Sequence, residues 1–299
     1  MDFEKDYLPC AGSRAAMILM VGSRGNNRLT RAVAKWLAKQ KIGALCLGPE
    51  PGQTGYHSFP MERMAAAIAF LRGRGIEKIG VLGASITSIP VLLGAAMFPQ
   101  LSLTLAFTPC DFVFQGFAQG RRDGCREWPV QGESMLTWQG RPLPCVTYAY
   151  QHPAYAQVVR RESRDSGNLI ASRKLFADTE GAAPLPEGAM LPVERIRGRL
   201  MLIGCEDDSL WDTGRYIWRM EARLQSRGAA SRWDALVYPH GTHFAFPESL
   251  LRQILPIGAG FAVGRVFRAA REYPRECRET RQDIDRRVRQ ALLEWRQEA

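Results

Sequence analysis

The stretch Ile79–Ser88, IGVLGASITS, decides how the chain is read. An apolar run stops at Gly83-Ala84-Ser85, and apolar residues at helical spacing follow. A buried strand that turns sharply into a helix has this pattern. Two meanings compete at Ser85. It is either a hydroxyl held up at the end of a strand as a nucleophile, or a small residue that fits a tight turn. The nucleophile signature at such a turn is G-x-S-x-G, and here Thr87 stands at its fifth position. The strand and helix approach closely there, so Thr87 is expected to fit only if the helix tilts or the strand shifts.

Outward from this turn, short apolar runs alternate with amphipathic stretches. Met17–Val21 (MILMV) reads as a strand, 22–27 (GSRGNN) as a turn, and Leu29, Val33, Trp36 and Leu37 mark a helix. Ile42–Leu47 is the next strand, followed by the loop GPEPGQTG and a helix carrying Met61, Met64, Ala65, Ile68 and Leu71. After the strand that ends near Gly83 come a helix over Thr87–Met97 and a strand over Leu101–Phe107. Further on, Arg199–Gly204 and Trp233–Pro239 read as strands around a helix over Thr213–Gln225. A charged amphipathic helix over Glu276–Arg296 closes the chain, with Ile284, Val288, Leu292 and Trp295 on one face. This alternation predicts an α/β fold: a doubly wound, mostly parallel sheet with helices on both faces. The whole chain, 1–299, is expected to be a single domain.

The alternation breaks from about Thr108 to Leu191. That segment carries Phe112, Phe114, Phe117, Trp128, Trp138, Tyr148 and Tyr150. It is too long for a plain connection in a compact domain. It is read as an aromatic-rich lid inserted at about 110–190. The plainer alternative is a surface excursion with its own small core.

With 299 residues, 46% of them hydrophobic and 23% charged, the chain has a soluble globular profile. Ile89–Phe107 is the most apolar stretch, and Pro90, Pro99 and Gln100 interrupt it, so no membrane span is expected. The acidic start MDFEKDYLPC does not read as a secretory leader. Seven scattered cysteines without a C-x-x-C pair read as reduced thiols of a cytoplasmic protein. The net charge of +10 comes mainly from dispersed arginines without a nucleic-acid motif. It is first a solvated basic surface, and second a landing surface for an anionic substrate such as a coenzyme A thioester. The four histidines show no i, i+4 pair, so neither a metal nor another cofactor is expected. GSRGNN lacks the G-K-[ST] of a phosphate loop.

Three residue types recur at strand ends in a meaningful order: Ser85, then Asp207 and Asp208, then His243. Ser, acid, His is the chain order of α/β-hydrolases. A serine hydroxyl needs a base to take its proton. His243 would supply it, and a buried carboxylate would steady the imidazolium. Oxyanion donors would be the backbone N–H of Ile86 and one from the first turn, at Ser23 or its neighbour. Each group has a plainer reading. Glycines and serines fill many turns, paired Asp residues cap helices, and His240 rivals His243 in PHGTHF. Cys110 and Asp111 would line the pocket or shape a loop, His57 is read as surface polarity, and His152 belongs to the inserted segment.

Several segments resemble the catalytic C-terminal domain of the acyl-CoA thioesterase and bile acid-CoA:amino acid N-acyltransferase family, over nearly the whole chain. They are 20–47 (MVGSRGNNRLTRAVAKWLAKQKIGALCL), IGVLGASITS, LTWQGRPLPCV, LPVERIRGRLMLIGCEDDSLWDT and YPHGTHFAFPE. The resemblance implies an α/β-hydrolase fold with Ser85 as nucleophile and His243 as its histidine. In EDDSLW it favours Asp208, three residues before Trp211, while a G-x-x-D count from Gly204 gives Asp207. Serine rather than cysteine at the nucleophile implies hydrolysis. Ile86-Thr87 departs from the family, which usually carries glycine at the second position. The chain also lacks room for the β-sandwich that precedes this domain in longer members.

The resulting expectation is hydrolysis of an acyl thioester or carboxylic ester through an acyl-Ser85 intermediate. The partner is a small acyl ester or acyl-CoA molecule, with no nucleic acid and with homo-oligomers possible. Three alternatives differ in outcome: acyl transfer to an amine acceptor, peptidase activity, and a catalytically silent hydrolase fold used for binding.

Overall fold

The computed structural model describes residues 3–22, 25–50, 52–122, 125–255 and 258–298. Its centre is a seven-stranded sheet. The strands are β1 (Tyr7–Leu8), β2 (Ala15–Met20), β3 (Gly43–Cys46), β4 (Lys78–Ala84), β5 (Leu101–Phe107), β6 (Arg199–Cys205) and β7 (Trp233–Tyr238). Their spatial order is β1-β3-β2-β4-β5-β6-β7. Every neighbouring pair is parallel except β1 with β3. β1 is the edge strand that the sequence pattern misses, because two residues carry no periodicity.

The helices are α1 (Arg28–Lys39), α2 (Glu62–Gly73), α3 (Ser88–Met97), α4 (Ala154–Ser166), α5 (Arg173–Ala182), α6 (Thr213–Ser226), α7 (Glu248–Ile254), α8 (Ala259–Val266), α9 (Ala269–Glu272) and α10 (Pro274–Gln297). Strand β2, AAMILM, shows why two layers of helix are needed. Ala16, Ile18 and Met20 join one core with Met64, Ile68 and Leu71 of α2 and with Ile89 and Leu92 of α3. Ala15, Met17 and Leu19 join another with Val33, Trp36 and Leu37 of α1 and with Ile284, Val288, Leu292 and Trp295 of α10. Alternate side chains leave a strand on opposite faces, so a strand apolar at every position must be covered twice.

Chain direction across the sheet reverses between β2 and β4. From β2 the chain passes outward to β3, then returns across to β4 and continues to β7. In open parallel sheets, the crevice at the carboxyl ends of such strands is where ligands bind. The turns after β2 and β4 both open onto that crevice.

The segment between β5 and β6 holds no strand of the main sheet. Gln115–Arg122 and Cys125–Ser134 form an antiparallel hairpin, and Gly55–Tyr56 adds to its edge. Gly55 has φ +93°, and a Cβ there would strike the Phe117 carbonyl, so this edge pairing requires glycine. Leu136–Trp138 pairs with Phe59–Pro60 and with Arg141–Pro142. α4 and α5 complete the segment. Its aromatics are not solvent-facing ornaments: Phe112, Phe114, Tyr148 and Phe176 are buried and join the core beneath it.

Candidate active site

Ser85 directly follows β4 and opens a single 3₁₀ turn, Ser85–Thr87, that leads into α3. Its φ is +58°, in the left-handed region that L-residues avoid. Such strain persists only where the surroundings impose it. Here they do so through Gly83 and Thr87. A Cβ on Gly83 would lie 2.6 Å from the Thr87 carbonyl and 2.8 Å from Val91, so the helix start presses on the strand end. Thr87 is fully buried. Its hydroxyl accepts from the Ala84 N–H at 3.0 Å and sits within donating distance of the Ala84 carbonyl, at 2.8 Å, and of the Met20 carbonyl. The side chain expected to crowd the turn therefore points away from the strand–helix contact and pins the turn to the end of β2. The close approach falls on Gly83 instead.

Asp208 lies in the loop after β6 and is fully buried. Its carboxylate accepts from the Leu210 N–H at 2.9 Å and from the Thr213 hydroxyl at the start of α6. Both oxygens meet the His243 ring: Nδ1 is 3.0 Å from Oδ1 and 2.8 Å from Oδ2. His243 follows β7 and is 4% exposed. Nδ1 facing a carboxylate carries the proton, which leaves Nε2 with the lone pair. Nε2 is buried and has no hydrogen-bond partner among the described residues. Trp211 sets its ring edge-to-face against the imidazole at 5.5 Å and donates to the Thr108 carbonyl at 3.2 Å. Thr108 itself follows β5, and the Cys110 N–H reaches the Ser88 hydroxyl at 3.3 Å. The loop after β5 thus bridges the Ser85 turn and the His243 loop.

Asp207 pairs elsewhere. Its carboxylate meets His240 Nδ1 at 2.9 Å, and His240 stacks on Tyr273 at 4.0 Å. The adjacent aspartates therefore hold different histidines, and only the Asp208–His243 pair is buried.

Ile86, the residue after Ser85, is half-buried. Its N–H lies in the first turn of the helical segment, where no intrahelical carbonyl is available to it. Ser23, the other expected oxyanion residue, lies outside the described residues. The described residues on either side of it are held in place. Asn27 caps α1 by accepting from Leu29 and Thr30 and donates back to the Val21 carbonyl, while the Tyr56 hydroxyl donates to Gly22 at 3.3 Å.

Two features escape a reading of the sequence. Glu127, on the strand Cys125–Ser134 of the hairpin, is partly buried; burial raises its carboxyl above the ordinary value, and a hydrogen bond from Gln119 and the proximity of His243 and Tyr155 offset this only in part. Asp111, read as lining a pocket or shaping a loop, is buried and bound in bidentate fashion by Arg219, both contacts at 2.6 Å. Arg219 also holds Glu180 of α5 at 2.6 Å, which ties the inserted segment to α6. No local motif marks pairs separated by this much chain. His57 pairs with Glu133 at 3.0 Å, and no group of three or more His, Cys, Asp or Glu side chains suited to a metal occurs among the described residues.

Solved structures similar to the chain include an esterase of Pyrococcus furiosus (15% identity, covering 85% of this chain and 82% of that one, TM-score 0.43). A lipase-esterase related protein of Clostridium acetobutylicum (12%, 87% and 98%, 0.45) and a monoacylglycerol lipase of Paleococcus ferrophilus (14%, 87% and 97%, 0.42) are further ones. No curated protein sequence matches the chain. The sequence model described as BAAT / acyl-CoA thioester hydrolase C terminal matches residues 59–248, which contain β4, β5, β6 and β7 together with Ser85, Asp208 and His243. With that match over more than half of its length and a doubly wound sheet of this strand order, the chain is an α/β-hydrolase that belongs to the BAAT / acyl-CoA thioester hydrolase C-terminal family.

Proposed function

We propose that the protein is a serine hydrolase that cleaves an acyl thioester through an acyl-Ser85 intermediate. The observation that carries the reading is the buried Asp208–His243 pair, whose free Nε2 belongs to the same strand-end crevice as the strained Ser85. In this reading His243 takes the Ser85 proton as the hydroxyl attacks the thioester carbonyl, and Asp208 steadies the imidazolium that forms. The Ile86 N–H, with one from the turn around Ser23, receives the oxyanion. The thiol leaves, and His243 then activates water to release the acid. The segment 110–190 serves as the lid over this crevice, its aromatics supplying an apolar wall for the acyl chain. The basic composition supports a thioester of an anionic carrier over a neutral ester.

Exposure to a serine-reactive fluorophosphonate, followed by intact mass, tests this. The expected result is one adduct on the wild-type protein and none on Ser85→Ala. Adduct formation that persists in Ser85→Ala, or its absence after prolonged exposure of wild type, overturns the assignment of Ser85. Product analysis with and without added glycine or taurine separates hydrolysis from transfer.

A further inference from the structure

Two adjoining cavities, of about 440 and 430 Å³, run between α8, α9 and α10 and share Gly260, Phe261, Arg278 and Arg281 as walls. Five arginines line them: Arg252, Arg265, Arg271, Arg278 and Arg281. The one carboxylate among their described walls, Glu248, is bonded to Arg252 at 3.0 Å and to Arg281 at 2.8 Å. Arg271 donates to the Gly264 and Gly167 carbonyls and has no carboxylate partner among the described residues. Arg265 and Arg278 are exposed and have no carboxylate partner among the described residues. Phe261 is 73% exposed at the rim, with the Arg265 guanidinium 6.0 Å from its ring.

One small apolar core links the walls of this groove to the loops that carry Asp208 and His243. Leu210, two residues after Asp208, and Phe244, next to His243, pack into the small core under α8 with Leu251, Val263 and Phe267. Phe244 and Phe267 meet edge-to-face at 5.0 Å. Three guanidinium groups without a carboxylate partner among the described residues, beside one exposed ring, form a receptor for several phosphates attached to a planar base. Arginine recognises phosphate with paired donors, and an aromatic face accepts a nucleobase by stacking.

We propose that this groove binds the phosphorylated nucleotide part of the thioester's leaving group, with Arg265, Arg271 and Arg278 on the phosphates and Phe261 on the base. The inference rests on the thioesterase reading above for its physiological substrate but not for its binding test.

Calorimetric titration with adenosine 3′,5′-bisphosphate tests it on the wild type, on the groove variant Arg265→Gln/Arg278→Gln, and on the charge-matched control Arg126→Gln/Arg289→Gln. The expected result is binding that weakens at least about tenfold in the groove variant and is unchanged in the control, a difference of about 1.4 kcal/mol. Inorganic phosphate should bind more weakly, and phosphatidylglycerol vesicles should not capture the protein. Absent bisphosphate binding, equal losses in both variants, or capture by vesicles without bisphosphate binding each overturn the proposal. In kinetics the groove variant should raise KM for an acyl-CoA with kcat retained, and leave p-nitrophenyl acetate turnover unchanged. If bisphosphate binds the groove but no thioester is cleaved, the hydrolase reading fails and the binding site stands.

Discussion

At the scale of single residues, adjacent aspartates have separate fates. Asp208 is buried against His243, whereas Asp207 stays partly exposed and holds His240. Asp208→Asn should lower kcat by about 10⁴-fold, because the amide favours the wrong histidine tautomer. Asp207→Asn should leave kcat close to wild type, and steady-state kinetics on an activated ester compares the two. Equal losses would show that the Asp207–His240 pair contributes to turnover. Thr87 makes a second case. Thr87→Val keeps the shape but strands the buried Ala84 N–H, and should cost about 1–3 kcal/mol of stability in urea unfolding. Thr87→Ser retains the hydroxyl and should recover most of it. The departure from glycine at this position is legible as an anomaly in the sequence. Its resolution is not, because the Met20 carbonyl that receives the hydroxyl is 67 residues away.

At the scale of elements, the parallel strands and their crossover helices follow from periodicity, and their observed bounds fall close to the expected ones. The final helix, expected over Glu276–Arg296, spans Pro274–Gln297 and closes one face of the sheet through the four apolar residues that mark it. Leu292 is 1% exposed there, so Leu292→Ala should destabilise the protein by about 2–5 kcal/mol, read by chemical denaturation. A loss below about 0.5 kcal/mol, the range of ordinary surface substitutions, would mean that α10 does not cover the core in solution. The segment after β5 is legible in the sequence as an aromatic-rich insertion, read as a lid, but not in its strand pairing. The hairpin is extended at its edge by Gly55–Tyr56, brought from a loop before α2, and strand pairing across that distance leaves no local signal. Glu127 stands on this hairpin, which is why composition could not bring it to the site.

At the scale of the whole molecule, burial sets the chemistry of the thiols. Cys10, Cys46, Cys110, Cys145, Cys205 and Cys277 are free thiols. Burial pushes Cys46 and Cys277 up to about 11 and raises Cys110 and Cys205 well above the ordinary thiol value. The thiolate is the reactive form. Iodoacetamide at pH 8 should therefore modify the half-exposed Cys10 before Cys46, Cys110 and Cys205 in the native protein and leave those three untouched until denaturant is added, as peptide mass mapping would show. Early modification of Cys110 would mean that the segment above it opens readily. No helix among the described residues is long and apolar enough to cross a membrane.

The sequence by itself determined the layered α/β order and the strand-to-helix turn at Ser85, and it nominated the set Ser85, Asp207 or Asp208, His243. Each of these rests on local periodicity or on chain order along strands that end on one side of a sheet. Only the tertiary structure decided which aspartate meets His243, why Thr87 fits, and how Arg219 ties Asp111 to Glu180. Those outcomes depend on pairs far apart in the chain, and only the folded sheet fixes their distance and burial. The arginine groove belongs to the same class: its charges are dispersed in the sequence, and packing of α8 against α10 gathers them.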